Sequence, residues 1–340
     1  MAKIYTNEHN LPDSYYKAVT VDKHRVNGDI SVTQLIDAPQ IRVLKKQHDE
    51  TVDVSTMLWA LFGTAIHAVL ERSEQGSVEV SQLMQAKEII EDSGSPMAQD
   101  ISEAIEKLIE EQFPEGINQD MLLEETMTLD IEGYRLSGTC DKFTISSGLL
   151  EDYKSCGVYD YIMPESRKKW YAQQNIYAHM LRKKGYTVNK SNIVAIFKNW
   201  TKVESLRNRD YPPLAIMSLD VPLLEDSVIE SYIKKRIVLH KEAMDNGVIP
   251  ECTGKERWSK AAVFAVMKEG GKRAVRTFDK EHLAKAYIED NAYKSKAPMS
   301  IQYRPGEDIR CDSYCSVSAH CPQLKRRDEM ISEKQKELNK

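Results

Sequence analysis

The stretch from Met121 to Ser155, MLLEETMTLDIEGYRLSGTCDKFTISSGLLEDYKS, constrains this chain more than any other. It is rich in strand formers and is cut twice by turn residues, at Glu132-Gly133 and at Ser146-Ser147-Gly148. It predicts three consecutive strands, at about 121–131, 133–145 and 149–155. Residues two apart in a strand face the same way, so Asp152 and Lys154 share a face and Tyr153 takes the other. A turn near residue 147 puts Asp141 opposite about residue 153, within one residue of Asp152. Directly opposed side chains lie roughly 5 Å apart, and a slip of one residue reverses the face.

Two carboxylates that close repel unless a cation sits between them. Oxygen ligands of this kind suit Mg²⁺ or Mn²⁺. An ammonium beside them, that of Lys154, can orient a water and offset charge building on a phosphate. Those are the parts needed to hydrolyse a phosphodiester. The alternative is a half-buried hairpin with a surface ion pair, which contributes little to stability. Glu151 falls on the other strand face from Lys154 and is the weaker candidate ligand.

Two helices add polar groups to the case. VSTMLWALFGTAIHAVLERS reads as a helix with Ser55 as N-cap and is apolar on most sides, so it is expected to be well buried. His67 lies four residues after Gly63 and shares a face with Glu71. An imidazole in so apolar a helix needs a hydrogen-bond partner or a ligand. PESRKKWYAQQNIYAHMLRKKG reads as an amphipathic helix from about Pro164 to Gly185. It presents Gln173 and Tyr177 one turn apart, an amide and a phenol that either contact nucleic acid or pack in the core. Trp170, Tyr171 and Tyr177 near Arg167, Lys168 and Lys169 offer an aromatic and basic channel for a single strand.

Elsewhere the first dozen residues read as mobile, and 30–47 as helical with a break at Pro39. Residues 80–112 read as polar helices interrupted at SGSP, 191–200 and 213–223 as strands, and 224–246 as a helix. The last third alternates strand and helix at 272–278, 279–290 and 300–305, ending in a charged tail that is helical or disordered. The 340 residues carry a net charge of −5, which argues against a surface coated in basic groups but leaves room for a local basic groove. The clusters Arg167-Lys168-Lys169, Arg182-Lys183-Lys184, Lys234-Lys235-Arg236 and Lys272-Arg273 read first as solvated faces. There is no run of about 18 apolar residues and no signal-peptide pattern at the start, so no membrane partner and a cytoplasmic location are expected.

Six cysteines complete the inventory. CDSYCSVSAHC brings Cys311, Cys315 and Cys321 into eleven residues, so three thiolates can converge on one metal. Cys252 is the candidate fourth ligand and His320 its competitor. Either a 4Fe–4S cluster or Zn²⁺ can occupy such a site. Cys140 and Cys156 flank the acids and are expected to be small buried residues.

Taken in order, Gly63-His67, Gly138-Asp141, Asp152-Lys154 and Gln173-Tyr177 resemble the motifs G-x-x-x-H, G-x-x-D, D-x-K and Q-x-x-x-Y of RecB-type nucleases of the PD-(D/E)XK superfamily. The resemblance spans about residues 30–200. It implies an α/β fold with a central mixed β-sheet flanked by helices, the restriction-endonuclease-like core. It implies a divalent ion on His67, Asp141, Asp152 and the Tyr153 carbonyl, with Asp141, Asp152 and Lys154 catalytic. Gln173 and Tyr177 become an accessory DNA-handling pair, with Trp170, Arg167 and Lys168 as further contacts. The cysteine pattern resembles the iron–sulfur staple of AddB-type and CRISPR-associated members. In those the distant cysteine precedes the nuclease motifs; here that place, LIDAPQIR, carries Ala38, and Cys252 stands in. The implied organisation is an N-terminal extension (1–29), a nuclease core (30–250), a C-terminal cysteine-stapled extension (251–324) and a charged tail (325–340). The implied activity is exonucleolytic, on DNA ends or single strands, in recombination, repair or phage genome processing, with a recombination or helicase protein as partner. A non-catalytic DNA-binding scaffold and a cysteine-based redox sensor are the rival readings.

Overall fold

Six strands build the principal sheet: β1 (Ile30–Ser31), β2 (Met121–Ile131), β3 (Tyr134–Thr144), β4 (Leu149–Cys156), β5 (Lys190–Phe197) and β6 (Ile216–Val221). The structure is a computed structural model and describes all residues except 1–2, 22–26, 75–82, 84–85, 88, 92–96, 113–119, 246–248, 292, 294–296 and 339–340. The sheet order is β1-β3-β4-β5-β6, with β2 also paired to β3. β1 runs parallel to β3 and β4 parallel to β5, while the other pairings are antiparallel, so the sheet is mixed. The β2–β3 turn has positive φ at both central residues, Glu132 (51°) and Gly133 (73°), the backbone that matches the twist of a two-residue hairpin.

Hydrogen-bonded pairing of β3 with β4 covers Thr144↔Leu149, Phe143↔Leu150 and Lys142↔Glu151 and then stops. β4 continues alongside β5 as far as Cys156↔Phe197, while β3 is taken up by β1 at Leu136 and Ser137. The two strands therefore part just where Asp141 and Asp152 stand. Tyr177 packs into the space beside β3. A Cβ on Gly138 would lie 2.6 Å from Tyr177 Cε1 and 2.8 Å from Val32 Cγ2, so only glycine fits there.

The helix Lys168–Lys183 follows β4 and covers the sheet. Its Ile176, Tyr177, Met180 and Leu181 pack with Leu136, Phe143 and Leu150, and with Ile229, Ile233 and Ile237 of the helix Asp226–Asp245. Asn175 is satisfied within this layer, whereas Gln174 Nε2 and both His179 ring nitrogens are buried without a hydrogen bond of good geometry. Asn175 Nδ2 donates to Tyr171 O (2.9 Å) and Pro222 O (3.1 Å), and its Oδ1 accepts from Leu224 N (2.7 Å). Members of the basic clusters are tied down the same way as Asn175: Arg182 to Asp226, Lys183 and Lys234 to Glu230, Lys184 to Glu125 and Arg236 to the carbonyl of Leu35.

The helix Leu58–Glu74 departs from expectation. It is not well buried: Trp59 is 56% exposed and Val69 67%. It is apolar on more sides than the strand it lies against, β4, can cover. Val54–Ser73 is also, by length and composition alone, long and apolar enough to cross a membrane, at a mean hydropathy of 1.3. The expectation that no such segment exists rested on an unbroken apolar run; an average tolerates His67, Glu71 and Arg72. Part of the segment expected to be mobile is also tied down. Thr6 Oγ1 (2.9 Å) and Glu8 N (2.8 Å) both donate to Asp53 Oδ2.

The chain divides into two compact units, one of residues 5–36 and 51–240 and one of 1–4, 37–50 and 241–340. The expected boundaries are corrected in that the helix Pro39–Gln47, from within the expected core, joins the cysteine-bearing unit. That unit holds a three-stranded antiparallel sheet, β7 (Val263–Lys268), β8 (Ala274–Phe278) and β9 (Met299–Arg304), in the order β8-β7-β9. The helix Glu281–Asn291 seals it, with Ala284 against Phe264 and Val266. β7 went unread because a short continuous apolar run fits helix and strand alike. The charged tail is helical over Pro322–Leu338. Of the polar stretch at 80–112, Ala98–Gln112 is helical and much of the rest lies outside the described residues.

Candidate metal centre

Where β3 and β4 part, the backbone loses its ladder and side chains replace it. Tyr153 N donates to Asp141 Oδ2 at 2.7 Å. His67 Nε2 lies 3.0 Å from Tyr153 O. With that nitrogen donating to the carbonyl, His67 Nδ1 presents its lone pair to the acids, 3.6 Å from Asp141 Oδ2 and 3.9 Å from Glu124 Oε1. A backbone carbonyl that orients the far nitrogen of a histidine is the usual support of a metal ligand.

Among the described residues, His67, Glu124 and Asp141 have ligand atoms within 4.8 Å of one another. Glu124 was not anticipated. The signal was present, since a two-residue turn at Glu132-Gly133 puts residue 124 opposite residue 141, as the pairs Leu123↔Lys142 and Glu125↔Cys140 show. Glu124 also has φ +46° inside a strand, a conformation that costs about 1–3 kcal/mol in a non-glycine residue and gathers at functional sites. The expected ligand set is thereby revised. Asp152 stands beside the trio and not within it, and the Tyr153 carbonyl is engaged by His67.

Asp152 is 1% exposed and neither of its carboxylate oxygens has a hydrogen bond of acceptable geometry. Lys154 Nζ is 2.7 Å from its Oδ2, an ion pair of opposite charges at poor angles. A buried carboxylate left in that condition is costly unless further positive charge reaches it. Burial first, and then the neighbouring Asp152 charge, push the Asp141 carboxyl up to about 7. The Glu124 carboxylate, opposed by burial and helped by Asp141, raises His67. This donor set fits a hard divalent cation, which would relieve the repulsion between the acids. Glu151 turns away and pairs with Lys142 at 3.8 Å.

Two proton-linked consequences follow. An acid whose pKa is raised by folding disfavours its own ionisation in the fold. Without metal, stability from Asp141 is therefore lost as pH rises from the ordinary carboxylate range through about 7. Metal binding must displace protons from Asp141 and His67, so Mg²⁺ affinity is expected to climb with pH until both have titrated and then level. Glu124→Gln should weaken Mg²⁺ or Mn²⁺ by about 10-fold or more. Isothermal titration calorimetry between pH 6 and pH 9 measures both; a flat profile or an unaltered affinity would remove the trio from consideration.

Gln173 Nε2 donates to Tyr177 Oη at 3.0 Å. The Tyr177 ring is buried, and burial raises its phenol. Trp170 and Tyr171 pack, partly buried, against Cys156, Ile193 and Phe197. The expected stacking channel of Trp170, Tyr171 and Tyr177 is therefore corrected: Tyr177 is core, and the other two cover a second hydrophobic cluster. Lys168 is exposed, whereas Arg167 is half-buried with Nε lacking a hydrogen bond.

Cys140 and Cys156 are buried, and burial pushes both thiols up to about 12. In the other unit Cys252, Cys311, Cys315 and Cys321 line one cavity with Gln40, Ile41 and Leu44. Cys252 Sγ is 3.0 Å from Gln40 Oε1, and Cys252 N donates to Gln323 Oε1 at 2.9 Å. Cys252, Cys315 and Cys321 pack on a cluster that contains Ala38. Burial, neighbouring acids and neighbouring thiols push Cys252 up to about 12 and Cys311 up to about 11. Four cysteines facing one cavity form a donor set for a thiolate-bound group. His320 stacks on His48 at 4.0 Å and does not line the cavity.

No family model matches this chain. No curated protein matches it either. Among solved structures, that of SSO0001 aligns with a TM-score of 0.34 and 13% identity over 66% of this chain and 82% of that one, a likeness too loose to bear on fold or function.

Proposed function

We propose that this chain is a Mg²⁺- or Mn²⁺-dependent deoxyribonuclease with a restriction-endonuclease-like core, acting as an exonuclease on DNA ends or single strands. The observation that carries the reading is the buried, hydrogen-bond-starved Asp152 beside the His67–Glu124–Asp141 trio, with Lys154 on the same strand face. His67, Glu124 and Asp141 would hold the ion, with Asp152 completing its surroundings. Such an ion supplies Lewis acidity toward a phosphoryl oxygen and an attacking water. Lys154 orients that water and offsets charge gathering on the phosphate. Tyr153, through its N–H and carbonyl, holds Asp141 and His67 in register.

The cysteine cavity is read as a structural 4Fe–4S site. Zinc on the same four thiolates is the alternative. The role of the site is to tie residues after 250 to the helix Pro39–Gln47. A recombination or helicase protein is the proposed partner.

The test is cleavage of end-labelled linear and closed circular DNA with Mg²⁺, Mn²⁺ or EDTA. Metal-dependent loss of label from linear DNA, with circles spared, is the expected result. Defined fragments from circles would make it an endonuclease. Binding without cleavage under any metal would replace the proposal with the scaffold reading.

A further inference from the structure

The nuclease reading leaves one aromatic group on the metal-bearing unit without a task. Trp59 is 56% exposed and Phe62 41% exposed, one turn apart at the start of the helix that carries His67. Their rings meet edge to face at 6.1 Å and 87°. Lys198 Nζ stands 4.9 Å from the Trp59 ring centroid. Lys198 is itself anchored, because its backbone N–H donates to Cys156 O at 2.9 Å, at the end of β4 and two residues beyond Lys154. Asp160, close to that ammonium, is held by Gly157 N at 3.2 Å.

Trp59, Gly63 and His67 follow one another at i, i+4 and i+8, so they occupy successive turns of one side of the helix. At 1.5 Å per residue, Trp59 lies about 12 Å along the axis from His67. Gly63, between them, lies against β4: a Cβ there would sit 3.2 Å from Ser155 Oγ. The helix thus presents a wide apolar ring, a smooth step and a metal ligand in a line, with a cation over the ring and the catalytic strand alongside.

We propose that Trp59, backed by Phe62 and Lys198, is a stacking platform for an unpaired base of the DNA strand that enters the metal centre. A flat exposed indole offers a face to any base, and its stacking is tolerant of sequence. A neighbouring ammonium suits the phosphate that accompanies the base. A base inside a duplex has both faces covered, so the platform selects DNA with an unpaired end. The role in cleavage rests on the nuclease reading; the binding does not.

The test uses the full chain in EDTA, with fluorescence anisotropy of a labelled oligothymidylate and of a blunt duplex of equal length. Trp59→Ala is expected to weaken the single strand by about 5- to 150-fold, and to leave the duplex within about twofold. Trp59→Phe should recover part of the loss. An unchanged melting curve for Trp59→Ala shows that the fold is kept. Parental affinity for oligothymidylate in Trp59→Ala overturns the platform, as does an equal loss on both DNAs. If Trp59→Ala abolishes binding to phosphatidylcholine vesicles and leaves oligothymidylate binding intact, the exposed ring serves a lipid surface and the platform is wrong. A parent chain that binds oligothymidylate through Trp59 yet cleaves nothing in Mg²⁺ or Mn²⁺ upholds the platform and removes the nuclease reading.

Discussion

Lys154→Ala is expected to lower DNA cleavage by at least about 100-fold, the scale of removing one preorganised charge from a phosphoryl-transfer site. DNA binding should persist. The ammonium is 2.7 Å from Asp152 Oδ2, and no other cation reaches that buried carboxylate among the described contacts. Its removal therefore has a folding cost as well as a catalytic one, and breaking a buried pair costs roughly 3–5 kcal/mol. Two controls separate them. Melting curves in Mg²⁺ should show the ion recovering much of the lost stability, because it supplies the missing charge. Lys154→Arg keeps the charge and should fold like the parent, yet a planar guanidinium cannot place a water as an ammonium does, so its cleavage should stay low. Parental rates in Lys154→Ala would end the nuclease proposal.

Cys315→Ser should lower the melting temperature by about 10 °C and remove the brown visible absorption of the anaerobically purified protein. Loss of a structural metal group belongs among the few single changes worth several kcal/mol, and each kcal/mol moves a domain of this size by about 2–4 °C. The control is Cys140→Ser, whose thiol is buried beside Asp141 and does not line the cavity of the four cysteines, so the visible spectrum should be retained. A colourless parent whose melting is unaffected by Cys315→Ser would leave four free thiols in an ordinary pocket. If Cys315→Ser altered a cellular response while Asp152→Ala did nothing, the sensor reading would take its place.

Much of this arrangement could be read before any coordinates, and the reasons are local. The strands at 121–131, 134–144 and 149–156 announce themselves because Gly133 and Gly148 adopt positive φ between runs of strand formers. The tight hairpin puts Asp141 and Asp152 at opposed register positions, and the Asp152 charge reaches Asp141 although the ladder ends one pair before them. Glu124 was missed although the first hairpin fixes its place as firmly as the second fixes Asp152. Counting across the Glu132-Gly133 turn places Glu124 opposite Asp141 just as counting across the Gly148 turn places Asp152 there. Burial was harder to foresee. Trp59 sits in a helix apolar on most sides and Tyr177 in an amphipathic one, and only the sheet decides which ring is covered. The helix Lys168–Lys183 lies over β3, where Gly138 makes room for the Tyr177 ring; the helix Leu58–Glu74 touches β4 through Gly63 and His67 and leaves its first turn bare. Cys252 posed a similar problem, since no local pattern links it to Ala38, and packing brings them together over more than 200 positions.

The parting of β3 and β4 carries a consequence for solvent exchange. At Tyr153 the amide proton is held by the Asp141 carboxylate at 2.7 Å, where a continuous sheet would have used a carbonyl. That proton is protected only while one titratable group keeps its charge and its place. Deuterium uptake at this single amide therefore registers what occupies the centre, slowing when a cation pins the acid and quickening when the acid is neutralised. The fold has put a reporter in the backbone itself.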